Sequence, residues 1–302
     1  MPYAAGLAPT SAAPPARVAF VDSGLGLLGY AAALRALRPD VELVLSIDPD
    51  HMPYGPRPPQ EVRRLIVDSA RSTLSFAPDA IVVACNTASV HGLEALRAEL
   101  EPGIPVIGTV PAIRPAAAGG GPVAVWATAA TTSSDYLRGL IDAFAADVDT
   151  SPIAAHGLAE AIESADFEAI DAAIEAAAAA TPSRTRALVL GCTHYGLVAD
   201  HIAAALRARG IRADIFDSPD AVARQTLRRL GIEPVADPIG GESVAQALGT
   251  AEPVVLLSGR RGVFPSTASS FAAGRLVLSD HLVDLTDPAQ PAPPATRPAP
   301  RD

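Results

Sequence analysis

Cys85 and Cys192 are the two thiols of the chain, and their settings match. Each follows a short apolar run, AIVVA ending at Ala84 and ALVLG ending at Gly191, and each precedes polar residues that open a helical stretch. The carboxyl end of a strand in an open α/β sheet is where ligands bind. The amino end of the next helix favours negative charge and biases a thiol held there toward thiolate. A lone buried cysteine is ordinarily a small hydrophobe; two in equivalent settings argue for shared chemistry. A single nucleophilic Cys calls for one base, whereas two facing thiols suit proton transfer on both faces of one carbon. One, as thiolate, removes a proton, and the other, as thiol, delivers one from the opposite side. That is a racemase or epimerase working without a cofactor. All 23 basic residues other than His are Arg, so Schiff-base, pyridoxal-phosphate and P-loop mechanisms, which need Lys, are excluded.

Other residues could join this pair. Asp22 and Ser23 end the run RVAFV, placed to hold a substrate ammonium and one thiol, or to cap a helix. Asn86, Thr87 and Thr193, with nearby backbone amides, could hold a carboxylate. Thr128, Thr131 and Thr132 follow another strand and could do the same, or serve as N-caps. Met52–Arg57 reads as a rigid loop in which Gly55 permits close backbone approach. His194, two residues after Cys192, could tune or relay its proton. No Cys/His spacing resembles a zinc site, so no metal is expected. One motif competes: Gly24, Gly26 and Gly29 form GxGxxG between a strand and a helix, with Glu42 where a ribose-binding acid would sit. A dinucleotide-binding oxidoreductase and a non-catalytic binding module therefore stay open on the residues alone.

The elements that must position these groups alternate short β-branched runs with Ala/Leu/Arg-rich helical stretches. Strands are predicted at 17–21, 41–47, 80–84, 105–108, 123–126, 187–190, 214–216 and 253–257. Helices are predicted at 29–37, 59–76, 89–100, 133–145, 167–180, 197–209 and 219–230. This is an α/β protein with largely parallel sheets. DAIVVACNTAS (Asp79–Ser89) and RALVLGCTHYG (Arg186–Gly196) echo each other, which implies two pseudo-symmetric halves. The Gly/Pro-rich stretch Pro111–Pro122 is the expected first boundary, with a second crossing near Asp214–Pro219. The expected division is 17–112 plus 214–286 for the first α/β domain and 113–213 for the second, with flexible termini at 1–16 and 287–302. The chain of 302 residues is 49% apolar with a formal charge of −10, which disfavours nucleic-acid binding. No apolar run is long enough to span a membrane, and Met1–Arg17 lacks the charged n-region of a secretory signal. A cytoplasmic protein with free thiols is expected.

These motifs resemble the glutamate racemases of the cofactor-independent aspartate/glutamate racemase superfamily, with an aspartate or other amino-acid racemase of the same superfamily as the alternative. The matching pieces are FVDSG (Phe20–Gly24), PYGPR (Pro53–Arg57), VVACNTAS (Val82–Ser89), IPVIG (Ile104–Gly108), LGCTHYG (Leu190–Gly196) and FDS (Phe216–Ser218), with LLSG near Leu256. The resemblance implies an active site in the cleft between the two domains, with Cys85 and Cys192 as the acid/base pair, Asp22 assisting Cys85 and His194 assisting Cys192. It implies that Ser23, Tyr54, Gly55, Asn86, Thr87, Thr128, Thr131 and Thr193 surround a glutamate substrate. A further acid from the second domain matches Glu163 best and Glu160 next. No cofactor is implied; the partners are the small-molecule substrate and at most a second copy of the chain, and the product D-glutamate feeds peptidoglycan synthesis. The sequence departs from the pattern at Leu25-Gly26-Leu27, at Ile47-Asp48-Pro49-Asp50-His51-Met52 before PYG, and at Gly196, where a Pro is usual.

Overall fold

Ten strands form two sheets in the computed structural model, which describes residues 15–235 and 252–278. The first sheet has the order β10-β9-β2-β1-β3-β4. Its strands are β1 (Arg17–Asp22), β2 (Glu42–Ile47), β3 (Ala80–Val83), β4 (Val106–Gly108), β9 (Val254–Leu257) and β10 (Arg260–Arg261). All pair in parallel except β10 with β9. The second sheet, β6-β5-β7-β8, is wholly parallel and comprises β5 (Val123–Ala127), β6 (Thr150–Ala154), β7 (Ala187–Leu190) and β8 (Asp214–Phe216). Counted within each sheet, both halves share the order 2-1-3-4, the structural form of the sequence echo; β9 and β10 are additions to the first.

Parallel sheets are covered on both faces, so their inner strands, such as β3, β5 and β7, are buried apolar runs. Val18 and Phe20 of β1 join one core and Ala19 and Val21 the other. The second of these is closed by α2 (Pro59–Thr73) and α3 (Asn86–Leu100), through Val62, Ile66 and Leu96. The first runs unbroken from sheet to sheet. It takes in Leu28 and Leu34 of α1 (Leu27–Leu37), Trp126 of β5 and Leu190 of β7. A third core lies under α4 (Ile113–Ala117) and α6 (Asp135–Phe144) on the far face of the second sheet. The chain passes between the sheets after β4 and after β8. The two passages meet at Tyr30 of α1, whose hydroxyl lies 2.8 Å from Thr109 Oγ1 and 3.2 Å from Ser218 Oγ.

Several expectations shift. β8 pairs with β7, so residues 214–216 belong to the second sheet and the return crossing follows them. The free edge of β7 carries unpaired amides that an adjacent strand satisfies, and no local signal distinguishes that edge from the other sheet's. Pro111–Pro122 contains the short helix α4. β6 was not anticipated because Pro152 interrupts it; it is an edge strand, where a missing N–H is tolerated. The helix after Cys85 begins at Asn86 and not Ser89. The stretch after Cys192 opens as a 3₁₀ helix, Thr193–Val198, before α9 (Ala199–Ala208). Among the described residues no helix is long and apolar enough to cross a membrane. Residues 1–14 and 287–302 of the expected flexible termini lie outside the described residues.

Candidate active site

Both thiols stand at strand ends beside the positions where the sheets face each other. Cys85 is the N-cap of α3 and has extended backbone angles, so its sulfur adjoins the open amides of the first turn. Cys192 holds the same place between β7 and the 3₁₀ helix. One cleft joins them. Its first wall includes Ser23, Tyr54, Gly55, Cys85, Asn86 and Thr87; its second includes Thr128, Thr131, Cys192, Thr193 and His194. Together with the solvent at its open mouth, the cleft holds about 410 Å³ not filled by protein atoms. Met52 and Pro53 of the expected rigid loop also line it, as do Ala159 and Gly191, which carry no chemical group that sequence reasoning could single out.

Asp22 does not line the cleft but lies behind it, with no exposed surface. Its Oδ1 accepts the Ser23 N–H at 2.6 Å, and its Oδ2 accepts the Thr193 hydroxyl of the opposite wall at 3.2 Å. Burial pushes Asp22 up to about 6, against the pull of His194 and the Ser23 amide. The Cys85 thiol is pushed up too, first by burial and then by the charge of Asp22. Ser23 Oγ stands 3.9 Å from Cys85 Sγ.

The other thiol has a different support. Cys192 Sγ is 3.8 Å from His194 Nδ1, and His194 Nε2 is 2.9 Å from Glu163 Oε2. The same Glu163 oxygen accepts the Leu25 N–H at 2.8 Å. Burial draws the imidazole down, but Cys192 and Glu163 together outweigh it and hold His194 well above its ordinary value. Glu163 lies on α7 (Leu158–Ser164), a seven-residue helix too short for its period to be read, and one turn separates it from Glu160, which makes no such bond. A carboxylate therefore backs Cys85 and an imidazole backs Cys192: the pseudo-symmetry of the backbone ends at the side chains.

The walls are stitched together. Asn86 Nδ2 donates to Gly191 O at 3.0 Å, leaving its buried Oδ1 without a partner. A Cβ on Gly26 would stand 2.2 Å from Thr193 Oγ1 and 2.7 Å from Asp22 Oδ2, and one on Gly24 would stand 2.3 Å from Glu163 Oε2. These glycines thus admit side chains of the site, not a pyrophosphate. Glu42 lies at the amino end of β2, paired with Arg17 Nε at 2.8 Å, at the opposite end of the sheet from the glycines. The dinucleotide reading loses both of its supports. Thr128 caps α5 (Ala129–Thr132), accepting the Thr131 N–H at 3.3 Å, and still lines the cleft; Thr132 turns back onto Ala129 O and does not. Among the described residues no group of three or more His, Cys, Asp or Glu side chains could hold a metal ion.

Residues 29–226 match the Asp/Glu/Hydantoin racemase family. A glutamate racemase of Clostridium perfringens is 34% identical over 71% of this chain and 83% of its own length. One of Herpetosiphon aurantiacus is 33% identical over 78% of this chain and 93% of its own. Among solved structures, Escherichia coli glutamate racemase in complex with L-glutamate and the activator UDP-MurNAc-Ala superposes with a TM-score of 0.68 at 26% identity, covering 88% of this chain and 94% of that one. Thermus thermophilus glutamate racemase in complex with β-chloro-D-alanine gives 0.58 at 28% identity, covering 84% and 99%.

Proposed function

The chain belongs to the Asp/Glu/hydantoin racemase family, and from that premise we propose that it interconverts L- and D-glutamate by a two-thiol acid/base mechanism. The observation that carries the mechanism is the placement of Cys85 and Cys192 on opposite walls of one small cleft. Substrate lies between them with its α-carbon flanked by sulfur on both sides. One thiolate takes the α-proton, so that the Cα–H bond breaks and an S–H bond forms. The carbanion is then protonated on its other face by the second thiol, whose S–H bond breaks. The reverse direction exchanges the roles. Asp22 serves the Cys85 side and the His194–Glu163 pair the Cys192 side. Ser23, Asn86, Thr87, Thr128, Thr131 and Thr193 supply donors for the substrate carboxylates, and the unpartnered Asn86 Oδ1 is an acceptor for its ammonium. Tyr54 and Gly55 bound the distal end. D-Glutamate made in this way supplies peptidoglycan synthesis in the cytoplasm, and a homodimer is the assembly included in this reading.

The test is α-proton/deuterium exchange and optical rotation with each glutamate enantiomer. Racemisation is expected with no added cofactor and with undiminished rate in the presence of chelator. Aspartate, one methylene shorter, is expected to give a kcat/KM at least about tenfold lower, the usual discrimination for that difference. A requirement for pyridoxal phosphate, a nicotinamide or a metal ion contradicts the mechanism; a higher kcat/KM for aspartate contradicts the substrate.

A further inference from the structure

One buried carboxylate beside the site touches neither thiol. Asp48, just beyond β2, is 4% exposed, and three donors converge on it. The Tyr54 hydroxyl donates to Oδ2 at 2.8 Å, the Ser258 hydroxyl donates to Oδ1 at 2.7 Å, and His51 Nδ1 lies 2.9 and 3.0 Å from the two oxygens. A carboxylate removed from water is tolerated when its oxygens are hydrogen-bonded, and here those bonds join separate parts of the chain. Tyr54 is part of the cleft wall. The next residue, Gly55, faces the other wall closely enough that a Cβ there would lie 3.7 Å from Thr128 Oγ1. Ser258 belongs to the two-residue turn between β9 and β10, far along the sequence.

That turn is built against local preference. A two-residue hairpin turn of this hand wants positive φ at both positions, which Asn-Gly or Gly-Gly supplies most cheaply. Gly259 takes φ 77° at no cost, but Ser258 takes φ 45°, a left-handed conformation uncommon for a residue with a side chain. The hydroxyl offsets this: it donates to Asp48 and accepts the Asp50 N–H at 3.2 Å. The turn is further fastened by the Ser258 N–H on Ile47 O at 2.8 Å and by Arg260 on Asp50 at 2.8 Å. Ser258 is thus a strained residue whose side chain reaches the carboxylate that holds Tyr54 of the cleft wall, and such outliers cluster where structure serves function.

We propose that Ser258 is a positioning residue of the racemase site. Through Asp48 it fixes Tyr54, and with it the Met52–Gly55 wall opposite Thr128, and so sets substrate affinity without touching substrate. This rests on the glutamate racemase reading above. Ser258→Gly removes the hydroxyl and accepts the turn's φ, so the hairpin is retained, which circular dichroism checks. Its KM for glutamate is expected to rise about tenfold, the equivalent of one hydrogen bond to a charged group, with kcat within about twofold of wild type. Tyr54→Phe cuts the same connection at its other end and is expected to raise KM similarly. The double variant is expected to go no further than the larger single effect, because both act through Asp48. An unchanged KM in Ser258→Gly, a loss confined to kcat, or effects that multiply in the double variant overturns the positioning role alone. A wild-type chain that fails to racemise glutamate overturns instead the reading beneath it.

Discussion

Cys85→Ala and Cys192→Ala are each expected to lose glutamate racemisation by at least about 10³-fold, because every turnover needs both a base on one face and an acid on the other. Their side-chain supports differ, so the variants are expected to fail differently. A β-chloro analogue of glutamate loses chloride once its α-proton is taken, and that requires one base only. Each single variant should therefore still eliminate from one enantiomer and not from the other, with opposite preferences in the two proteins. Cys→Ser at either place should leave only traces, since a hydroxyl is a far weaker acid than a thiol and is scarcely ionised near neutrality. Near-wild-type racemisation by Cys192→Ala, or loss of the same enantiomer's elimination in both variants, contradicts the two-base assignment.

Asp22→Asn is expected to lower kcat/KM by about 10² to 10³-fold, the range of a positioned proton-transfer group, while leaving the protein at least as stable near pH 8. The two effects have one origin. Burial raises Asp22 in the folded protein to about 6, above its value of 3.8 in the unfolded chain. The folded state thus binds this proton more tightly, and the stability it confers is lost as pH rises from about 4 through 6. Once ionised, Asp22 costs the fold roughly 3 kcal/mol, and asparagine removes that cost. Activity runs the other way, because the ionised carboxylate is the form that can accept a proton on the Cys85 side. Wild-type kcat/KM should consequently fall on the acid side with an apparent pKa near 6, a limb that Asp22→Asn abolishes. Asp22 interacts with Cys85, His194 and Glu163, and its charge also acts on Tyr30 and Tyr54, so the measured limb belongs to the coupled set. An unchanged acid limb in Asp22→Asn contradicts this role. So does a melting temperature at pH 8 that falls below wild type.

Much of the site was legible because its residues are local to strand ends. Asp22-Ser23, Cys85-Asn86-Thr87 and Cys192-Thr193-His194 each follow an apolar run directly, and a parallel strand delivers its following residues to the carboxyl edge of the sheet whatever its neighbours are. Gly24 and Gly26 were legible as exceptional but not for the right reason. Their pattern is shared with a phosphate-binding turn, and only the positions of Thr193, Glu163 and Asp22 against their Cα atoms separate the two. Glu163 depended on family resemblance, since α7 is too short to show which of two acids faces inward.

The apolar runs and their spacing determine by themselves that the chain alternates strand and helix, that its two halves repeat, and that a thiol terminates one strand in each. Burial of a continuous apolar strand is a local property and leaves a local trace. Tertiary structure alone decided three things. β8 closes the second sheet and not the first, because either sheet edge could have satisfied its backbone. Asp22 sits behind the cleft and not in it, since the donor that completes its burial, the Thr193 hydroxyl, arrives from the opposite wall. The Ser258 turn comes to rest on Asp48 although the two are 210 positions apart: β9 pairs with β2 in a register that sets Leu257 beside Ile47, and a hydrogen bond over such a distance leaves no periodicity in the residues between.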